Sequence, residues 1–254
     1  MTAEQKCEGL AYAEKNFKEK DSHLLLDKTF IEEYYDLSDA KVLDFGCGMG
    51  GMTLWIDEHY SCDVKGIDID KNHIEICHVL KTKYGKDHIQ FLLQDILKDP
   101  LEEKFDYIFL NDVAEHIRPD FLLPIFKQLR KHLNEDGVIF VSYPPWEGPY
   151  ASHLNGVFKT PWPQYWPKKL MYSKLKKRNK ILVGEKDLMS EYFELNRLNH
   201  KSLKGVAELA GLQIERRMSH SKLNRLPGFQ NVNSSFSLLK YFITKELVVL
   251  RSAS

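Results

Sequence analysis

Residues 41–52 read KVLDFGCGMGGM, and the reading of this stretch governs the rest of the chain. Val42 and Leu43 are a short apolar run of the kind that forms a buried strand. Asp44 closes that run. Gly46, Gly48, Gly50 and Gly51 then crowd into six residues, and residues 52–60 have helical content. The order is strand, glycine turn, helix. Glycines in such a turn permit positive φ and remove Cβ atoms, so a flat ligand can lie against the backbone. The helix start presents free N–H groups. Gly46, Gly48 and Gly51 also satisfy G-x-G-x-x-G, a dinucleotide fingerprint, and a merely tight turn would use the same residues. The residues downstream of the turn have to decide.

Residues 64–67 read as a second strand ending in Asp68, which lies 22 residues past Gly46. A carboxylate at the tip of that strand can accept from both hydroxyls of a ribose. Asp70 is the expected N-cap of a helix over 70–84. A third strand over 88–93 is followed by Asp95 and Ile96, an acid and an apolar residue that suit an adenine; Asp95 as a simple turn residue is the alternative. A fourth strand over 105–110 runs into Asn111, Asp112, Val113, Ala114, Glu115 and His116. A helix over 121–133, a turn over 134–137 and a fifth strand over 138–142 complete the rhythm. Strands alternating with helices at this spacing predict βαβ units and a mostly parallel sheet. Ligands of such sheets bind outside the carboxyl ends of the strands. Residues 44–50, Asp68, Asp95, residues 111–116 and Tyr143 would all gather on that edge.

Two regions depart from the rhythm. Residues 1–40 are amphipathic and helical, either packed on the core or forming a lid with Tyr12 or Tyr34 on the ligand. Residues 143–167 hold six prolines, three tryptophans and three tyrosines. Proline stops both helix and ladder, so an ordered loop is expected over the same edge. Its aromatic residues, Tyr143, Trp146, Tyr150 and Trp162, are candidates to enclose an organic substrate; packing within the insertion is the alternative. Residues 168–180 carry seven basic residues and no acid, either a solvated face or an attractor for an anionic partner. Helices are expected over 188–195 and 201–210, with Gly211 as C′ residue. A sixth strand over 212–215, a polar loop over 219–232 and a closing antiparallel strand over 241–250 finish the chain. The resulting units are a lid over 1–40, a ligand-binding core over 41–142, a cap over 143–198 and a return to the core sheet over 199–254.

The 254 residues carry 36 basic and 36 acidic side chains. That balance argues against a duplex nucleic acid partner. No apolar run approaches the ~20 residues that span a bilayer, and the first residues lack an apolar signal core. The four cysteines, Cys7, Cys47, Cys62 and Cys77, form no C-x-x-C, which fits a reducing cytoplasm. Oligomeric state is not legible here.

The motifs taken together resemble those of the class I S-adenosylmethionine-dependent methyltransferases. VLDFGCGMG is similar to the first family motif and GIDID to the second. QDIL resembles the third-strand signature, NDVAEHI the segment after the fourth strand, and LRKHLNEDGVIFVS the helix, turn and fifth strand. The resemblance implies a Rossmann-like α/β fold with a seven-stranded, mostly parallel sheet, helices on both faces and an aromatic and helical cap. It implies S-adenosylmethionine as cofactor. Asp44 would orient the methionine end, and Gly46, Gly48 and Gly50 would let it pass. Asp68 would bind the ribose. Ile69, Asp95 and Ile96 would hold the adenine, and Asn111 would line the sulfonium. Methyl transfer is a direct displacement that proximity and alignment can promote. An oxygen acceptor also needs a base, and His116 at the strand edge and His153 in the cap are the candidates. A resemblance to quinone O-methyltransferases and RNA-end methyltransferases adds a divalent metal on Asp112, Glu115 and His116 as a less favoured option. The cap also looks like that of bacterial enzymes of unassigned or secondary-metabolite substrate. The expected activity is transfer to a small organic acceptor, at a hydroxyl, in secondary or cell-surface metabolism. An RNA or protein methyltransferase using the 168–180 face, and a non-catalytic cofactor-binding protein, are the alternatives.

Overall fold

In the computed structural model, residues 1–18, 22–178, 187–225 and 238–253 are described. Their helices are α1 (Ala3–Lys18), α2 (Leu25–Tyr34), α3 (Gly51–His59), α4 (Lys71–Lys83), α5 (Pro119–Lys131), α6 (Asn155–Phe158), α7 (Lys168–Arg178), α8 (Leu188–Glu194) and α9 (His200–Leu209). The strands are β1 (Lys41–Phe45), β2 (Asp63–Asp68), β3 (Gln90–Leu93), β4 (Phe105–Asn111), β5 (Leu133–Tyr143), β6 (Leu212–Ser221) and β7 (Ile243–Ser252). They form one sheet in the order β3-β2-β1-β4-β5-β7-β6. All neighbours pair in parallel except β7, which runs antiparallel to β5 and β6. The strand order reverses at β1, whose neighbours are β2 and β4, and that is where an open α/β sheet leaves a crevice.

Successive side chains of a strand point to opposite faces, and the sheet uses this to build two cores. Val42, Phe109, Phe140, Leu247 and Val249 pack with α1, α2, α3 and α4. Leu43, Ile108, Leu110, Ile139, Val141, Val248 and Leu250 pack with α5 and α9 on the other face. Near-continuous apolar runs in β1, β4, β5 and β7 follow from burial on both faces. A third, separate cluster of Leu154, Phe158, Met171, Leu175, Leu188, Tyr192 and Leu195 is the core of the cap.

Several boundaries differ from the sequence reading. The expected turn over 134–137 is strand, because Leu133 pairs with Phe105 across a bulge and Asn134 Nδ2 donates to Asp106 Oδ1 at 2.6 Å. β6 runs on to Ser221 because β7 offers it a full-length partner from Ile243 to Ser252. The expected polar loop therefore keeps only the 3₁₀ turn Lys222–Arg225 among the described residues, and 226–232 lie outside them. Positions 179 and 180 of the basic stretch also lie outside the described residues. The N-terminal segment is two helices: α1 packs on α3 so closely that a Cβ at Gly51 would stand 2.6 Å from the Ala13 carbonyl. All four cysteines are free. No helix of the described residues is long and apolar enough to cross a membrane.

Candidate active site

The glycine turn has three jobs that the sequence merged into one. Gly46 (φ 70) and Gly50 (φ 83) sit where an added Cβ would stand 2.7 Å from Val113 and 2.9 Å from Phe91. Both are glycine for internal packing. Gly48 (φ 53) has open space where its Cβ would be, so the loop face available to a ligand is at Gly48. Its N–H donates to Asp68 Oδ2 at 2.9 Å, and the Asp70 N–H donates to Asp68 Oδ1 at 2.8 Å. Asp68 thus ties the tip of β2 to the glycine turn. Asp44 lies behind the turn, 2% exposed, and accepts from Thr53 Oγ1 at 2.6 Å. Burial pushes its pKa up to about 6, with Asp68 adding to the rise and Thr53 opposing it.

Further along the rim the residues expected at the adenine divide. Ile69 is 76% exposed, whereas Ile96 is buried in the α5 and α9 core. Asp95 caps the turn after β3, accepting from Leu97 N–H at 3.1 Å and pairing with Lys98 at 2.9 Å. Its side chain serves that turn, the alternative raised for it.

The end of β4 holds a cluster of polar side chains. Asp112 takes a left-handed backbone (φ 54), and so does His153 (φ 56) in the cap. Such strain persists only where the surroundings over-determine it, and it gathers at functional sites. The 3₁₀ turn Ala114–His116 comes next, pinned by Asn196, whose Nδ2 donates to the Ala114 and Ile117 carbonyls at 2.7 and 2.8 Å. This turn and the cap meet at two histidines. The His116 and His153 rings are 4.8 Å apart, His153 Nε2 is 3.7 Å from Glu115 Oε1, and His153 Nδ1 is 3.3 Å from Glu191 Oε1. Both oxygens of Glu115 are buried without a hydrogen-bond partner. Burial, then Asp112, pushes its pKa up to about 8. For His153 burial acts downward, but Glu191 and Glu115 outweigh it and the pKa is raised.

Beside this cluster lies an ionic bridge. Lys245 of β7 donates to Asp112 Oδ2 at 2.9 Å and to Asp27 Oδ2 of α2 at 2.5 Å. Burial acts downward on the Lys245 ammonium, but Asp112 and Asp27 more than offset it and its pKa is raised. His23 Nε2 stands 3.8 Å from Asp112 Oδ2, with the Tyr12 ring stacked on it. Of the two lid tyrosines, Tyr12 is therefore at the rim. Tyr34 packs against Phe30 with the Arg216 guanidinium over its ring.

Of the metal set expected from Asp112, Glu115 and His116, Asp112 is held by Lys245; among the described residues, the group whose ligand atoms lie within 4.8 Å of one another is Glu115, His116 and His153. An orphaned buried carboxylate beside two imidazoles fits a divalent ion chemically. The aromatic substrate set changes too. Tyr143 is 0% exposed and its hydroxyl donates to Glu246 Oε2 at 2.6 Å, so it is a core residue. Trp146 packs on the cap cluster with Arg197 over its ring. Trp162 Nε1 donates to the Tyr241 carbonyl at 2.8 Å, and Tyr150 accepts from Lys222. Three of these four are thus engaged in packing or hydrogen bonds of the cap and β7 side, and the fourth in the core. Lys245, Asp27 and Glu191 were not singled out in the sequence. The signal for the first was available: the pair Lys245–Glu246 interrupts the apolar run YFITKELVVL.

A methyltransferase-domain family matches residues 12–216. The chain belongs to the class I S-adenosylmethionine-dependent methyltransferases. Among curated relatives, this chain is 31% identical over 105 residues to the phosphoethanolamine N-methyltransferase of Plasmodium falciparum, covering 41% of this chain and 39% of that protein. It is 31% identical over 122 residues to the sphingolipid C9-methyltransferase of Candida albicans, covering 45% of this chain and 24% of that one. The chain therefore spans well under two thirds of the length of these relatives. In fold it is similar to an S-adenosylmethionine-dependent methyltransferase from Clostridium acetobutylicum, with a TM-score of 0.62 at 13% identity, covering 98% of this chain and 99% of that one.

One prediction concerns Asp44 in the protein without ligand. Its folded pKa, about 6, lies above the ordinary 3.8. The folded state thus binds this proton more tightly, and the associated stability is present below pH ~3.8 and lost as pH rises through ~6. At neutral pH the ionised buried carboxylate costs roughly 2–3 kcal/mol. Asp44→Asn should therefore raise the melting temperature at pH 7.5 by several degrees, with the gain vanishing near pH 4. A gain that does not vary with pH would contradict this origin.

Proposed function

We propose that this methyltransferase transfers the methyl group of S-adenosylmethionine to a small organic acceptor, at a hydroxyl, with His153 as the base. The observation that carries the reading is the Glu191–His153 pair, held by the cap beside the end of β4. Relatives named for N- and C-methylation leave the acceptor atom open, so the hydroxyl rests on that pair.

When bound, the cofactor supplies an electrophilic methyl on a sulfonium, which is displaced with its bonding electrons left on sulfur. The chain's residues supply the rest. Asp68 at the tip of β2 would accept from the ribose, Ile69 and the turn at Asp95 would hold the adenine, and the open face of Gly48 would admit the cofactor. Asn111 and the backbone of Asp112 would line the reacting centre. Residues 1–40 act as lid, with Tyr12 and His23 at the rim, and 143–198 act as cap. Glu191 accepts from His153 Nδ1–H and so leaves Nε2 to take the acceptor's proton, the logic of an oriented imidazole base.

The test is titration calorimetry with S-adenosylmethionine and its demethylated product. Micromolar binding is expected for the unaltered protein, and at least a hundredfold loss in Asp68→Ala. No heat with either compound would end the reading.

A second reading is favoured by one observation, the two unpartnered oxygens of Glu115. In it Glu115, His116 and His153 hold a divalent ion that lowers the pKa of an acceptor diol. Dialysis against chelator separates the two. Unchanged turnover and no bound ion support His153 as base; loss of turnover restored by Mg²⁺ or Mn²⁺ supports the metal.

A further inference from the structure

The charge of this molecule sums to zero, yet it is not evenly spread. Helix α7 reads KKLMYSKLKKR: six basic residues and no acid in 11. Met171 and Leu175 are its buried positions and join the cap cluster. At 100° per residue, Lys169, Ser173, Lys176 and Lys177 occupy the opposite side, flanked by Leu170 and Tyr172. All of these are exposed, Leu170 at 46% and Tyr172 at 50%. Lys168, Lys169, Lys176 and Lys177 make no ion pair among the described residues. Lys174 is turned aside onto the Trp166 ring, 4.6 Å from its centroid, and Arg178 donates to the Val157 carbonyl.

A helix that stands four unneutralised lysines around an exposed leucine and tyrosine is poorly suited to water alone. The lysines repel one another, and the apolar side chains gain nothing there. We propose that the outer face of α7 docks this protein on an anionic lipid surface. Lysine ammoniums are compact point charges that suit a diffuse negative potential, each gaining on approach to an anionic leaflet. Leu170 and Tyr172 can enter the headgroup region between them. A nucleic acid partner fits less well. The planar fork that grips single phosphates belongs to arginine, and the one arginine of α7 is committed to a backbone carbonyl. Through the shared cap cluster α7 is joined to α8, which carries Glu191 to His153. Docking would hold that pair close to the lipid interface, but the docking itself does not depend on the acceptor or the base.

The experiment is flotation of the full chain with vesicles of phosphatidylcholine alone or mixed 7:3 with phosphatidylglycerol. Partition should be at least about tenfold stronger on the anionic vesicles and fall steeply between 50 mM and 500 mM salt. The triple variant Lys169→Glu, Lys176→Glu, Lys177→Glu should lose about a hundredfold or more. Its melting temperature and its calorimetric response to S-adenosylmethionine should match the parent. Leu170→Ser with Tyr172→Ser should weaken anionic partition several-fold with salt dependence kept. The proposal is overturned by equal partition on both vesicles, by no flotation at 50 mM salt, or by charge reversal without effect. It is equally overturned if a 20-nucleotide single-stranded RNA strips the protein from the vesicles.

Discussion

Replacing His153 by alanine is expected to lower kcat by about 10²- to 10⁴-fold, the range for loss of a positioned base. Binding of S-adenosylmethionine should stay unchanged, because His153 belongs to the cap and meets the turn after β4 rather than the glycine turn. His116→Ala is the control. It removes the neighbouring ring but leaves the Glu191–His153 pair, so its loss should stay within about tenfold. Glu191→Gln separates positioning from chemistry. Glu191 is the first influence that raises the His153 pKa against burial. A base must be neutral to act, so turnover rises as pH climbs through that pKa. Without the Glu191 charge the rise should move to lower pH, with a smaller fall in the plateau. A plateau within tenfold of the parent in His153→Ala would remove this residue from the chemistry.

The core was legible because its elements obey local rules. The apolar runs of β1, β4 and β5 announce burial on two faces, and the glycine turn, Asp68 and Asp70 announce where a strand becomes a helix. Asp70 does accept from Asn72 N–H at 2.7 Å, as an N-cap should. The boundary of β5 was not legible, since Asn134–Glu135–Asp136–Gly137 reads as a turn, and in the structure it is the bulge between Leu133, paired with Phe105, and Val138, paired with Tyr107. The cap was the hardest part. Tryptophan and tyrosine in a proline-rich loop say that apolar surface will be buried, but not against what. Tyr143 turned inward because Glu246 is there to take its hydroxyl proton in a hydrogen bond, and that partner is 103 residues away. The same distance problem hid the bridge of Asp27, Asp112 and Lys245, whose members come from a helix, a strand end and the closing strand.

That bridge gives the largest expected change in stability. Lys245 sits between Asp27 and Asp112 with its side chain 8% exposed, and Asp27 is 2% exposed. Lys245→Met keeps the apolar stem and deletes the charge. Two carboxylates then share a largely buried space with no cation. Breaking a buried pair in this way costs about 3–5 kcal/mol, or roughly 10 °C in melting temperature for a chain of this size. The pH dependence fixes the cause. Burial already raises the Asp27 pKa against the pull of Lys245. Without Lys245 it rises further, so the variant should recover stability as pH is lowered and Asp27 takes up a proton. Asp27→Asn added to Lys245→Met should restore much of the loss at neutral pH, a coupling that independent sites would not show. Because Asp27 lies on α2 and Lys245 on β7, protease cleavage between α2 and β1 should quicken in the single variant and slow again in the double. Strictly additive effects of the two substitutions would mean that lid and sheet are joined by apolar packing alone, with the ionic bridge carried passively on top.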